Sequence, residues 1–204
     1  MGLYARYVFP RILDRVMRQE PIRRQREKVV PRARGHVLEV GVGSGLNLPH
    51  YDRAKVASLR ALDPSPALCR LARERADAAG IHVELLSASA EEIPLEDASV
   101  DTVVITYTMC SIPAVDRALA EMRRVLRPEG VLLFSEHGRA PDSGVVRWQD
   151  RLNPVWRRIS GGCNINRAIP ELLAAAGFRL EVDSMYLPGP RLMTFTYWGT
   201  ATPA

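Results

Sequence analysis

The sequence is poor in cysteine, with 3 in 204 residues, and in aromatic residues, at 6%. Cys69, Cys110 and Cys163 are odd in number and far apart. They lack the paired close spacing of zinc sites and thioredoxin-like motifs, so free thiols in a reducing compartment are expected, with no disulfide framework and no metal. Long apolar runs are missing too. The longest charge-free interior stretch, Thr102 to Val115, is interrupted by Pro113 and falls short of the roughly 20 residues that cross a bilayer; it reads as a buried strand and its loop. The start, Met1 to Arg6, has neither a sustained apolar core nor a small-residue cleavage site, so no signal peptide is read and a cytoplasmic location is expected.

What is present is an ordinary folded composition. At 47% hydrophobic and 25% charged, 204 residues suit one domain, residues 1–204, with a sizeable core. The net charge of +5 and pI near 9.4 raise the question of an anionic partner. Much of the positive charge lies between Arg11 and Arg34, where arginine and lysine far outnumber the acids Asp14, Glu20 and Glu27. A solvated helix face accounts for this more simply than a phosphate-binding surface. Nucleic acid is therefore not expected as a partner, a peripheral contact with an anionic membrane surface stays open, and the chain is read as a monomer or homodimer.

Residues 1–35 read as an N-terminal helical segment, with apolar residues at helical spacing from Leu3 to about Arg18, a break at Pro10, and a second helix from Ile22 to Val30. Thereafter strands and helices alternate, the pattern of an α/β fold with a parallel sheet and helices on both faces. Strands are predicted at 36–40, 57–62, 81–86, 100–106 and 131–135. Helices are predicted at 66–79, ending at Gly80, and at 114–126, followed by a turn, Arg127-Pro128-Glu129-Gly130. Residues 138–167 break the rhythm and read as an inserted cap. A helix at 169–176 and a hairpin of 178–186 with 192–199, joined across Pro188-Gly189-Pro190, complete a seven-stranded, mostly parallel sheet with an antiparallel last strand.

The first strand runs into Glu39-Val40-Gly41-Val42-Gly43-Ser44-Gly45, a turn whose glycines let backbone approach a ligand. A dinucleotide fingerprint wants a glycine at the sixth place from Gly41, which is Leu46. A phosphate-cradling loop fails as well, because no Gly-Lys-Ser/Thr follows. Glu39, two residues before the first glycine, would repel a pyrophosphate but suits a cationic amino group. Asp63 ends the second strand 22 residues beyond Gly41, where a carboxylate can accept from both hydroxyls of a ribose.

With these residues the core, about His36 to His137, resembles the class I S-adenosylmethionine-dependent methyltransferases. Glu39, Gly41, Gly43 and Gly45 match that family's first motif and Asp63 its second. Ala88-Ser89-Ala90-Glu91-Glu92-Ile93-Pro94 is similar to its adenine-contacting motif, and Leu126 to Gly130 to the turn before strand five. The resemblance implies a Rossmann-like fold with residues 36–137 as the cofactor-binding core. It implies S-adenosylmethionine as cofactor, S-adenosylhomocysteine as product, and a cofactor site at Glu39, Gly41, Gly43, Gly45, Asp63, Pro64, Ser89, Ala90, Glu91 and Thr106. Ser89 stands where many relatives place an Asp, which leaves the adenine contact to the backbone at Ala90. Met109-Cys110-Ser111-Ile112, Ser135-Glu136-His137 and Gly162-Cys163-Asn164-Ile165-Asn166-Arg167 are similar to the methyltransferase-like 7 group, whose members methylate small thiols. The chain is expected to depart from that group in lacking its hydrophobic N-terminal anchor. Ubiquinone and phospholipid methyltransferases share the core motifs alone.

The implied reaction is methyl transfer to a small, partly apolar acceptor, a thiol by preference, with N-, O- or C-methylation of a lipid or quinone precursor as the alternative enzyme reading. A non-catalytic nucleotide- or RNA-binding protein is the alternative of another class. In-line displacement rests on positioning, and a thiol needs less help from a base than a hydroxyl. Tyr107, Glu136 and His137 fall at the carboxyl ends of strands, where open α/β sheets build their sites; of these His137 is expected as the base and Tyr107 as a wall of the pocket. Asn164 and Arg167 are candidates for an acceptor carboxylate or phosphate, and Trp148 and Trp156, eight apart, for an apolar acceptor wall.

Overall fold

Along the first strand, β1 (Gly35–Val40), side chains alternate between two apolar layers: Leu38 and Val40 enter one, Val37 the other. The computed structural model describes residues 9–204, so the part of the first expected helix before Phe9 lies outside the described residues. A seven-stranded sheet runs in the order β3-β2-β1-β4-β5-β7-β6, with β2 at Val56–Leu62, β3 at Glu84–Leu86, β4 at Val100–Thr106, β5 at Leu126–His137, β6 at Phe178–Tyr186 and β7 at Phe195–Pro203. Pairing is parallel from β3 through to β5, and β7 is antiparallel to both of its neighbours.

Helices cover both faces. On one, α4 (Val115–Val125) and α6 (Ile169–Ala175) bury Leu119, Met122, Val125, Ile169 and Leu173 against Leu38, Val103, Ile105, Leu132 and Phe134. On the other, α2 (Glu20–Val29) and α3 (Pro66–Ala79) bury Val29, Ala72 and Ala76 against Val37, Leu59, Ala61, Val104 and Leu133. The ends of α3 fall where its residues require. Ser65 accepts from Leu68 N, Pro66 occupies the first turn where no donor is needed, and Gly80 leaves the helix at φ +60°. Ahead of α2 lies α1 (Phe9–Met17).

Three elements differ from the expected ones: β3 covers only Glu84–Leu86 of the expected 81–86, and β5 and the connection between β6 and β7 depart as well. β5 begins at Leu126, before the expected turn: Val100 pairs with Leu126 and Thr102 with Val131, so residues 127–130 bulge from a strand that continues on both sides. Residues 138–167, expected as an irregular or helical cap, carry one long helix, α5 (Ser143–Ile159), with Pro154 inside it. The connection between β6 and β7 carries a helical turn, α7 (Arg191–Thr194), closed by Met193 N donating to Pro190 O at 2.9 Å, and this shifts β7 to 195–203. No described helix is long and apolar enough to cross a membrane.

Candidate active site

β1 ends at Val40 and the chain turns at once through Gly41, Gly43 and Gly45, with φ of +75°, +54° and +81°. The three glycines meet different needs. A Cβ on Gly41 would lie 2.2 Å from the Thr108 side chain, and one on Gly45 would lie 2.8 Å from Leu48 and 3.1 Å from the Ala72 backbone; at Gly43 it would meet nothing within 4 Å. Gly41 and Gly45 therefore let the loop lie against its neighbours, while Gly43 bares backbone to open space. That space is a cavity of about 330 Å³ at the carboxyl ends of β1, β2 and β4.

Of the residues expected from the sequence, Glu39, Gly41, Gly43, Asp63, Pro64, Ser89, Ala90, Thr106 and Tyr107 line this cavity; Gly45, Glu91 and His137 do not. Gly45 is buried against α3, which explains its place in the motif as packing. Glu91 is turned away: its carboxylate accepts from the Ser89 hydroxyl at 3.0 Å and from Ala114 N at 2.6 Å, fastening the 89–91 turn to the start of α4. His137 lies behind Tyr107, with ring centroids 6.4 Å apart and planes 15° from parallel. It is one aromatic ring removed from the cavity, which corrects its expected place at the reacting centre.

Two acids and one base are sunk into the cavity wall. Glu39 is buried, and its two oxygens accept from Asn47 Nδ2 at 3.0 Å and from the Tyr51 hydroxyl at 2.8 Å. Burial pushes its pKa up to about 7, although both donors and Arg26 favour the carboxylate. Asp63 accepts from Gly43 N at 3.0 Å and Ser65 N at 2.8 Å, clamping the glycine loop to the turn before α3; burial raises its pKa as well. Each Asp63 oxygen keeps a further lone pair.

The base is Arg26, which the sequence reading left on a solvated helix face. It is 5% exposed, donates to Met17 O at 2.8 Å, sits 5.6 Å from the Tyr107 ring centroid and makes no ion pair among the described residues. The only hint in the sequence was its place on α2, Gln25 and Arg26 being polar residues on the stripe that buries Val29 and Val30. α1 completes the cover: Leu13 and Met17 line the cavity, and Asp14 accepts from the Ser44 hydroxyl at 2.5 Å and pairs with Arg75 at 3.2 Å.

Tyr107, the first residue after β4, has φ +52°, an unusual conformation for a residue with a side chain. Its neighbours are held by Glu136, fully buried, whose Oε1 accepts from Thr108 N at 2.7 Å and Met109 N at 3.1 Å. Burial pushes the pKa of Glu136 to about 7, against the pull of those two donors. Asn164 and Arg167 do not face an acceptor: Asn164 donates to Cys110 O and Arg167 to the carbonyls of Met109 and Ile112. Neither tryptophan of the cap lines the cavity, and Trp148 is 54% exposed. Cys110 and Cys163, far apart in the sequence and expected as free thiols, meet beside His137, with Cys163 Sγ 3.2 Å from its Nε2.

Comparison with known proteins agrees with this geometry. Residues 38–134 match the methyltransferase domain family. The chain is 36% identical over 158 residues to the thiol S-methyltransferase TMT1B of Homo sapiens, a match covering 76% of this chain and 64% of that protein. It is 29% identical over 180 residues to the demethylmenaquinone methyltransferase of Thermus thermophilus, covering 79% of this chain and 82% of that one. The chain thus spans less than two thirds of the human relative's length. In fold it superposes on an S-adenosylmethionine-dependent methyltransferase of Thermotoga maritima with a TM-score of 0.67 at 22% identity, covering 97% and 99% of the two chains. With the sheet order, the glycine loop and the acids at Glu39 and Asp63, these matches place the chain in the class I S-adenosylmethionine-dependent methyltransferases.

Proposed function

We propose that the chain transfers the methyl group of S-adenosylmethionine to a small, partly apolar acceptor, a thiol by preference. The observation that carries this reading is the charge pattern of the cavity wall, with Arg26, Glu39 and Asp63 around bare glycine backbone. The methionine end of the cofactor is a zwitterion. Glu39 supplies the negative field its ammonium requires and Arg26, which has no carboxylate partner among the described residues, suits its carboxylate. The free lone pairs of Asp63 suit the ribose hydroxyls, Ala90 backbone the adenine, and the open space above Gly43 admits the chain between them. When bound, the cofactor supplies an electrophilic methyl group to an in-line nucleophile. Tyr107, Ile112 and Met17 then bound the space left for the acceptor, which favours a partly apolar molecule.

Among the described residues no imidazole lines that space, and of its three carboxylates Glu39 and Asp63 are given to the cofactor while Asp14 is held by the Ser44 hydroxyl, Arg18 and Arg75. Positioning must therefore do most of the work, and an acceptor that is readily anionic gains most from it. This supports a thiol over a hydroxyl, and so does the identity to TMT1B. The match to a quinone-precursor enzyme keeps C-methylation as the second reading. Radiolabelled methyl transfer to a panel of small thiols, amines and phenols separates them: turnover of alkyl thiols is expected, and turnover of phenolic precursors with none of thiols would overturn the preference.

The Glu39 assignment has its own test. A carboxyl with a pKa near 7 is largely protonated at pH 6, and a neighbouring ammonium lowers that pKa. Binding of S-adenosylhomocysteine, which carries the same ammonium, should thus expel a proton at pH 6. Affinity should rise as pH climbs toward about 7 and level off above it. Calorimetry in buffers of different ionisation enthalpy reads the proton directly; buffer-independent enthalpy at pH 6 would remove the ammonium from Glu39.

A further inference from the structure

Outside the cofactor cavity, three soft donor groups converge from separate chain segments. Cys110 follows β4, His137 ends β5, and Cys163 lies in the loop after α5. Their donor atoms all lie within 4.8 Å of one another. The convergence is built by groups other than the three side chains. Asn164 donates from its backbone N and its Nδ2 to Cys110 O, at 2.9 and 2.8 Å, and Arg167 donates to the carbonyls on either side, of Met109 and Ile112. Asn153 of α5 holds the same loop by accepting from Ile165 N at 2.9 Å and donating to Asn164 Oδ1 at 3.1 Å. Gly162, at φ +94°, supplies the left-handed turn that brings Cys163 to face Cys110. Cys110 is buried, and His137 and Cys163 are partly buried.

We propose that Cys110, His137 and Cys163 form a three-ligand site for a soft divalent metal ion, best matched by zinc. Two sulfurs and an imidazole nitrogen are a donor set that zinc accepts and that magnesium and calcium, which take oxygen, do not. Zinc bonds of about 2.3 Å to sulfur and about 2.0 Å to nitrogen place tetrahedral donors roughly 3.5–3.8 Å apart. Small side-chain rotations reach that from the arrangement present. Binding takes the protons of both thiols and releases them to solvent, leaving a neutral complex of two thiolates, one imidazole and the ion. Three protein ligands leave the fourth position to water or to another small ligand. The site would tie the cap to the ends of β4 and β5 immediately behind Tyr107, and it does not depend on which acceptor is methylated.

The test uses the full chain kept reduced with a phosphine, stripped with a chelator, supplied with zinc sulfate and passed through gel filtration. One zinc per chain is expected, falling to background in the Cys110→Ser/Cys163→Ser double variant. Cobalt(II) titration of the wild type should give a near-ultraviolet thiolate charge-transfer band that saturates at one equivalent. A further measurement needs no variant: zinc should slow alkylation of Cys110 and Cys163 by iodoacetamide by roughly tenfold or more while leaving Cys69 unchanged. Absence of stoichiometric metal, a cobalt spectrum without the thiolate band, or equal protection of all three cysteines would each overturn the site. So would a Cys110–Cys163 disulfide that persists under the phosphine.

Discussion

Replacing Asp63 with alanine is expected to weaken S-adenosylhomocysteine binding by about 1–3 kcal/mol, roughly 5- to 150-fold, the range for lost charge-assisted hydrogen bonds. Two effects run together in that number. The ribose hydroxyls lose their acceptor, and Gly43 N and Ser65 N lose the carboxylate that clamps the loop. Asp63→Asn separates them in part. An amide offers only one oxygen, so either Gly43 or Ser65 would confront an NH2 group in place of an acceptor. Calorimetry with S-adenosylhomocysteine reads the affinity and a thermal melt reads the fold; unchanged affinity in a folded Asp63→Ala protein would sink the ribose assignment.

The second large effect comes from setting two glycines of one loop against each other. Gly41→Ala drives a methyl group to 2.2 Å from the Thr108 side chain at a φ of +75°. Overpacking and left-handed backbone together should cost about 2–4 kcal/mol of stability, enough to lower the melting temperature by several degrees. Gly43→Ala meets no protein atom within 4 Å, so its stability cost should be confined to the backbone term, about 1–2 kcal/mol. Its methyl group enters the cavity, and cofactor affinity should fall more than stability does. If Gly43→Ala bound S-adenosylhomocysteine as tightly as the wild type, the cavity above that glycine would not be where the cofactor lies.

The parts of this site that could be read from the sequence are those that lie close together along it. Glu39 to Gly45 is one continuous turn, and Asp63 is fixed by the parallel pairing of β2 with β1, in which Val40 faces Leu62. Sequence pattern therefore reported both the turn that lines the cavity and the sheet. It could not report what three-dimensional approach creates. Arg26 enters the cavity because α2 packs across the sheet, a relation that no spacing between residues 26 and 39 encodes. Cys110, His137 and Cys163 look unrelated because metal-site motifs are recognised by short intervals, and here the fold supplies the proximity. Glu91 and Gly45 illustrate the converse. Both sit within motifs, yet one carboxylate is spent on an internal hydrogen bond to Ala114 N and one glycine on packing against Ala72.

The strand order carries a consequence for how the molecule is assembled. β6 has a single neighbour in the sheet, and that neighbour is β7, which is synthesised after it and lies between it and β5. During translation the first five strands can pair while β6 waits, its backbone donors and acceptors open to water or to a wrong partner. Only when residues 195–203 slot in antiparallel does the sheet close over both edges of the gap. Such late, non-local pairing slows folding, and it makes β6 the segment most exposed to misassociation in a nascent chain.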